Sequence, residues 1–192
     1  MKTSAPDPAD AFRQAILPHL DGAYNLARYV TRDAVLSEDV VQDAVLRAYR
    51  AFDQFRGGSP RAWLFAIVRN CSRTAISGRR GTVSLVVNES ALSEEAAAEL
   101  GNHADPSPSP EEELSRKQDA GRVRSAVEAL PEPFREAVVL RDLEGLSYAE
   151  IAEVTDVAVG TVMSRLSRGR AMLAKELLPA RKEEDEQSRS VK

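Results

Sequence analysis

Basic side chains crowd one predicted helix near the carboxyl end of the chain. Four of them, Arg165, Arg168, Arg170 and Lys175, occur between residues 157 and 175, where there is no acidic residue. At about 100° per residue, another face of this helix is apolar and comprises Val162, Leu166, Gly169 and Leu173. Guanidinium groups bind phosphates and base edges, so the helix has the chemistry of a DNA contact.

A shorter helix must precede this one and position it. Ser147, followed three residues later by Glu150, forms the capping box that begins a helix, and residues 155–157 form the turn after it. Two helices joined by a tight turn, the second with an apolar inner face and a basic outer face, indicate a helix-turn-helix. An ordinary helical hairpin with a solvated basic face is the alternative interpretation.

A second basic segment covers residues 56–82, which contain six arginines and no acidic residue. Its Gly-Gly-Ser-Pro turn predicts a helix with Pro60 in the first position and Trp63 in the core. Further along this helix come Arg69, Asn70, Arg73, Arg79 and Arg80. Such a surface suits DNA phosphates and unstacked bases, and the alternative is a solvated basic helix without a ligand.

The helix before this segment is predicted from about Ser37 to Phe52, with a broad apolar face. Its opposite face carries Asp39, Gln42, Asp43 and Arg50, with Leu46 in their midst. A leucine among polar residues suits a contact with another protein, although a single exposed leucine requires no explanation.

Further helices are predicted on either side of these segments. A helical pattern begins near Phe12, is interrupted by Pro18, and continues to a turn at residues 31–33. Another helix is predicted from about residue 110, and its candidate core residues are Leu114, Val123, Val127 and Leu130. The next helix begins at Pro131, ends at Gly145, and turns inward Phe134, Val138, Val139, Leu140 and Leu143.

Composition excludes several classes of protein. The single cysteine, Cys71, rules out an internal disulfide or a cysteine-based zinc site, and the two histidines lie far apart in sequence. We therefore expect neither a metal nor a cofactor. No run of 18 apolar residues and no signal-peptide core occurs, which predicts a cytoplasmic protein without direct membrane insertion.

The net charge of −4 conceals a strongly uneven distribution. Residues 83–113 hold eight acidic residues and no lysine or arginine, and the rest of the chain holds 26 basic against 22 acidic residues. The low apolar content of this acidic stretch predicts a linker between two domains. It either imitates nucleic acid in a basic channel or serves only as a solubilising tether.

Two passages together resemble the extracytoplasmic-function (ECF) group of bacterial sigma factors. SEDVVQDAVLRAYRAFDQFRGGSPRAWLFAIVRN looks like the group's region 2, with its acidic D-x-x-Q-D helix, Phe-Arg-Gly turn and Trp-Leu helix. LPEPFREAVVLRDLEGLSYAEIAEVTDVAVGTVMSRLSRGRAML is similar to region 4, including Gly-Leu-Ser-Tyr and Gly-Thr-Val. The resemblance implies an all-α fold of two small helical domains. It places a flexible leader at 1–9, region 2 at 10–82, the acidic linker at 83–112, region 4 at 113–180 and a charged tail at 181–192.

The resemblance also implies a role for each surface. The helix carrying Asp39, Gln42, Asp43 and Leu46 would dock on the β′ clamp helices of core RNA polymerase, and region 4 would contact the β flap. For the single-stranded −10 element, Phe55 and Asn70 match positions that in relatives help to hold a flipped base, and Arg56, Arg69 and Arg73 would guide the backbone of the strand. Arg79 and Arg80, at the end of the same basic helix, are the further expected DNA contacts. For the −35 duplex, the implied residues are Thr161, Ser164, Arg165 and Arg168. An anti-sigma factor is an expected partner.

Two departures from the group's pattern affect the −35 prediction. Met163 stands where relatives usually have Lys or Arg, and the turn at residues 155–158 lacks the small residue common there. Other functions compete with the resemblance. The chain could be a dimeric helix-turn-helix regulator that binds duplex DNA without polymerase, or a sigma mimic that sequesters an anti-sigma factor. An enzyme is disfavoured because no phosphate loop, metal cluster or activated nucleophile occurs in the sequence.

Overall fold

The computed structural model describes residues 7–82 and 110–178, and within them only the backbone of residues 8, 80–82 and 110–117. The predicted leader, linker and tail therefore lie largely outside the described residues. The described residues form helices without a β-strand, which confirms the all-α prediction. The helices are α1 (Pro8–Ile16), α2 (Leu20–Thr31), α3 (Ala34–Ala51), α4 (Pro60–Thr82), α5 (Pro110–Ala129), α6 (Glu132–Val138), α7 (Tyr148–Thr155) and α8 (Val159–Leu177).

Helices α1 to α4 form the amino-terminal bundle around the buried side chains of Ile16, Leu26, Leu64, Phe65 and Val68. A 3-10 turn, Leu17–His19, separates α1 from α2 at the proline that interrupts the sequence pattern. Apolar side chains recur along each helix at the spacing expected of an amphipathic α-helix, and their packing holds the bundle together.

Helix α3 begins earlier than the sequence predicts. Arg32 ends α2 in a left-handed conformation, and the Asp33 carboxylate accepts the backbone N–H of Leu36, so the cap lies at Asp33. Ser37, the predicted start, is buried inside the helix, and its hydroxyl donates to the Asp33 carbonyl. The prediction was wrong because a serine that bonds back to its own helix resembles a cap in sequence.

Helices α5 to α8 form the carboxyl-terminal bundle, whose buried side chains include Val138, Leu140, Ile151 and Leu166. The chain leaves α6 through a π-helical turn, Val139–Leu143, which the sequence does not predict. A π-helical turn contains one more residue than an α-helical turn, so the side chains in it point in other directions than α-helical spacing predicts. Leu143, predicted to point inward, is consequently 47% exposed.

Helix α5 packs only through its last turns. Ala126, Val127 and Leu130 are buried, whereas residues 118–125 are exposed. Val123 is 43% exposed, so the prediction that it lies in the core is wrong, because the buried part of α5 begins only at Ala126. Leu114 lies outside the side chains that the structure describes.

The two bundles pack against each other. Helix α4 contacts α7, and α2 contacts α6 and the π-helical turn, so the buried residues of both bundles join in one contiguous core. The contact surface of the amino-terminal bundle is thus α2 and α4, and the latter is the arginine-rich helix.

The packing of α8 on α6 generates a prediction about stability. A β-carbon at Gly169 would lie 2.9 Å from Val138 Cγ2 and 3.4 Å from Phe134 Cβ. We expect Gly169→Ala to lower the free energy of unfolding by about 1–3 kcal/mol, because overpacking outweighs the gain in helix propensity. Gly121→Ala is the control, since a β-carbon added there would meet nothing within 4 Å, and it should stabilise slightly. Urea titration followed by circular dichroism measures both, and equal stabilisation by the two variants would contradict the packing.

Candidate nucleic-acid interface

Helices α7 and α8 form the predicted helix-turn-helix. Ser147 caps α7 through the complete capping box: its hydroxyl accepts the Glu150 N–H, and the Glu150 carboxylate accepts the Ser147 N–H at 2.8 Å. Asp156, in a left-handed conformation at φ 54°, ends α7 and turns the chain into α8. Ile151 and Val154 then bury the inner face of α7. The cap fixes where α7 begins, and the left-handed residue fixes where it ends.

Helix α8 has the two faces that the sequence predicts. Val162, Leu166 and Gly169 are buried against the bundle. On the outer side, Thr161, Ser164 and Arg168 are exposed and Arg165 is half-buried. Among the described residues, neither Arg165 nor Arg168 takes part in an ion pair. The outer face thus presents guanidinium and hydroxyl groups to solvent.

Two further side chains of α8, those of Arg170 and Met163, add neither a free guanidinium nor a hydroxyl group to this face. Arg170 makes a bidentate pair with Asp142 of the π-helical turn, with Nε to Oδ2 at 3.1 Å, so its role lies in fastening α8. Met163 is 53% exposed beside the polar face and adds an apolar surface there.

Helix α4 begins as predicted, with the Ser59 hydroxyl accepting the Ala62 N–H at 3.2 Å and Pro60 in the first position. Trp63 is half-buried and packs on Phe55, with ring centroids 5.1 Å apart. Phe55, Arg56 and Trp63 line a cavity of about 370 Å³ whose wall also includes Glu153 of α7. Asn70 is exposed elsewhere on the helix and is not part of this wall, so the structure does not bring it together with Phe55.

Three arginines of α4 meet glutamates of the carboxyl-terminal bundle. Arg69 Nε lies 3.0 Å from Glu136 Oε1, and both side chains are buried. Arg73 lies 3.1 Å from Glu132, and Arg61 lies 2.9 Å from Glu144. Sequence reasoning missed these pairs. The available signal is spacing, because Arg69 and Arg73 are four residues apart on one helix and Glu132 and Glu136 are four apart on another.

The other arginines predicted to contact phosphates, Arg56, Arg79 and Arg80, do not pair with these glutamates in the part of the chain that the structure describes. Arg56 is exposed in the Gly-rich turn. Arg79 pairs with Asp33 at 2.5 Å, across to the start of α3. Arg80 lies outside the side chains that the structure describes.

The predicted protein-docking face of α3 is exposed. Asp39, Gln42 and Asp43 are exposed, and Leu46 is 54% exposed. Asp43 also pairs with Arg47 at 2.8 Å, one helical turn further on. Sequence reasoning missed Tyr49 and Val35, which extend the apolar part of this surface and are 56% and 67% exposed. Tyr49 lies three residues after Leu46, so helical spacing could have identified it.

Cys71 is buried, and desolvation by burial raises the pKa of its thiol. A raised pKa disfavours the reactive thiolate, so the cysteine has a packing role. Within residues 7–82 and 110–178, there is no group of three or more side chains suited to hold a metal ion. In the same residues, every helix is too short or too polar to cross a membrane.

The chain is similar to sigma factors along most of its length. The Sigma-70 region 2 family matches residues 15–82, and the Sigma-70, region 4 family matches residues 120–173. The chain is 38% identical over 158 residues to the ECF RNA polymerase sigma-E factor of Haemophilus influenzae, covering 80% of each. It is 37% identical over 177 residues to the RNA polymerase sigma-H factor of Pseudomonas aeruginosa, covering 90% of this chain and 89% of that one.

Solved structures show the same similarity. The sigma factor RpoE, from a co-crystal structure with the anti-sigma factor NepR from Bartonella quintana, matches with a TM-score of 0.66 and 28% identity. The match covers 88% of this chain and 97% of that one. CnrH, in complex with the cytosolic domain of CnrY, matches with a TM-score of 0.57 and 28% identity, covering 87% of each chain.

The capping box that begins α7 makes stability depend on pH. The backbone N–H of Ser147 is the main cause that lowers the pKa of Glu150 below its ordinary value of 4.5, and hydrogen bonds from Ser59 and Ser147 add to it. The carboxylate therefore contributes stability above about pH 4.5, and this contribution is lost as the pH falls through the lowered value.

At pH 7 we expect the free energy of unfolding to be larger for the wild type than for Glu150→Gln. This difference in the free energy of unfolding should disappear as the pH is lowered toward 3. Ser147→Ala, which removes a capping side chain worth about 1 kcal/mol, should reduce the same pH dependence. Urea titrations between these pH values measure the difference. A difference that stays constant with pH would contradict the assignment.

Proposed function

The chain belongs to the ECF group of RNA polymerase sigma factors, and from this we propose that its exposed surfaces bind core polymerase and promoter DNA. It acts as an alternative sigma factor in transcription initiation. The observation that carries the proposal is the outer face of α8, where arginines and hydroxyls of a capped helix-turn-helix are exposed. Binding and DNA distortion account for initiation, so no catalytic residue is required.

Core polymerase binds the exposed face of α3 in this proposal. Asp39, Gln42, Asp43 and Leu46 form an acidic surface with an apolar centre, which suits the β′ clamp helices. Tyr49 extends the apolar centre by one turn. Such a surface provides a desolvated anchor surrounded by charges that orient the partner. The carboxyl-terminal bundle contacts the β flap.

The −35 element lies against α8. Thr161, Ser164, Arg165 and Arg168 face the major groove, where an arginine bidentate to guanine discriminates by about 1–3 kcal/mol. Since Met163 cannot contact a phosphate, it offers an apolar surface that fits a thymine methyl group.

The −10 element, as a single strand, lies along α4 and the turn before it. Phe55 and the cavity beside it receive an unstacked base, and Asn70 contacts the strand further along the helix. Unstacking costs a few kcal/mol, which stacking on an aromatic ring offsets. The arginines that hold the backbone are Arg56, Arg69, Arg73, Arg79 and Arg80.

An anti-sigma factor is the regulatory partner that we propose. Two similar solved structures are complexes with such a protein or with a cytosolic partner domain. The acidic segment 83–112 joins region 2 (10–82) to region 4 (113–180) and occupies a basic channel of polymerase. All these partners place the protein in the cytoplasm.

Transcription in vitro tests the core-binding surface. Purified core polymerase with a genomic fragment library should give new start sites only when this protein is added. We expect Asp43→Arg and Leu46→Glu each to reduce them about tenfold or more, because each places a mismatched charge at the anchor. Asp21→Arg, an exposed acid-to-arginine change on α2, is the matched control and should leave them unchanged. Specific duplex binding without any new start sites would instead favour a polymerase-independent regulator.

Arg165→Ala tests the −35 surface. It should weaken binding to the −35 duplex by about 1–3 kcal/mol and relax the preference at one base pair, because a base contact is lost. Lys175→Ala, on the last turn of the same helix, removes the same charge and should weaken all duplexes slightly and uniformly. Fluorescence anisotropy with the promoter found above and single-base variants distinguishes the two. Uniform weakening by Arg165→Ala would show that the residue contacts only phosphate.

A further inference from the structure

The first turns of α8 expose apolar side chains beside the polar face that the proposed function assigns to the −35 duplex. Met163 is 53% exposed and Val159 is 43% exposed. The two residues are four positions apart, so they are neighbours on the helix surface. These two side chains are named the apolar flank of α8. They lie outside the hydrophobic core, to which α8 contributes Val162, Leu166 and Leu173.

The apolar flank and Arg165 lie on opposite sides of the polar face. At about 100° per residue, Met163 and Arg165 are about 160° apart around the helix axis, and Ser164 points between them. When Ser164 faces the base pairs of a major groove, both flanks of the helix therefore face its walls. One flank offers a guanidinium group, and the other offers a thioether and branched aliphatic carbons.

Gly160 lies between the apolar flank and Ser164 in the first turn of α8. A β-carbon added there would meet nothing within 4 Å, so the packing of the protein does not require a glycine at this position. A glycine does allow a ligand to approach the backbone closely. In the major groove, such an approach brings Met163 to the edges of the bases, where the amino-terminal residues of a recognition helix make their contacts.

The chemistry of the apolar flank selects one feature of the groove. Thymine is the base that presents an apolar group there, its C5 methyl. A methionine cannot donate a hydrogen bond to guanine or pair with a phosphate, but its flexible, polarisable side chain adapts to an apolar surface of irregular shape. The surrounding charge favours DNA as the occupant, because no acidic residue occurs between residues 157 and 175.

We infer that the apolar flank determines promoter choice: Met163, supported by Val159, recognises the C5 methyl group of a thymine in the −35 element. This inference rests on the proposed function of α8 and deepens it. Specificity at that base pair then comes from one methyl group and not from a hydrogen bond. The −35 element that this protein selects must therefore contain a thymine within reach of the first turns of α8.

Deoxyuridine in place of thymidine tests the inference, because it removes that methyl group and no hydrogen-bonding atom. Core polymerase reconstituted with this protein is titrated against a fluorescein-labelled promoter fragment from which it initiates. In this fragment, the thymidines of the −35 element are replaced one at a time, on both strands. We expect one replacement to weaken binding about fourfold, as expected when one methyl group leaves an apolar contact.

Variants then assign the methyl contact to the apolar flank. Met163→Ala should reduce the preference for thymidine over deoxyuridine from fourfold to about 1.5-fold or less. Met172→Ala is the matched control, since Met172 is 44% exposed on the same helix, about 13 Å further along its axis, and should retain the full preference. Met163→Arg should abolish the preference and strengthen binding to every fragment, because its positive charge contacts phosphate. Circular dichroism melts establish that each variant remains folded.

The inference is supported if one deoxyuridine weakens binding by wild type and Met172→Ala alike, but not by Met163→Ala or Met163→Arg. It is overturned if the −35 element has no thymine, if no replacement affects wild type, or if the effective replacement weakens Met163→Ala equally. In these cases the new start sites and the effect of Arg165→Ala remain, so the proposed function stands. If wild type gives no start sites, the proposed function fails, and this inference fails with it.

Discussion

The buried pair between Arg69 and Glu136 constrains how the two bundles meet. With 3.0 Å between the charged groups and almost no exposure on either side chain, each ion has lost its water and depends on the other. Such a pair gives little net stability, because desolvation offsets the attraction, but removing one partner costs about 3–5 kcal/mol. The pair therefore determines which surfaces meet more than how strongly they hold. An interface of this kind can be specific and still separable.

The other contacts between the bundles follow from that pair. Arg73 and Glu132 lie one helical turn away on the same two helices, and they meet because α4 and α6 align in opposite directions there. Half of each side chain remains in solvent, so this second pair adds at most about 1 kcal/mol. Glu144 completes the arrangement on the other side, where Gly22 permits its close approach. Polar groups thus align an interface whose apolar part is continuous with both cores.

The sequence predicts the inner faces well and the contacts between bundles poorly. The periodicity of α8 identifies Val162 and Leu166 as buried because helix geometry alone decides which side chains share a face. The same periodicity wrongly predicts that Leu143 is buried, because a π-helical turn changes the residue spacing there. Periodicity also does not identify the glutamates that pair with Arg69 and Arg73. Basic side chains without nearby acids along the chain suggest a surface open to DNA, whereas their counter-ions lie more than fifty residues away in sequence.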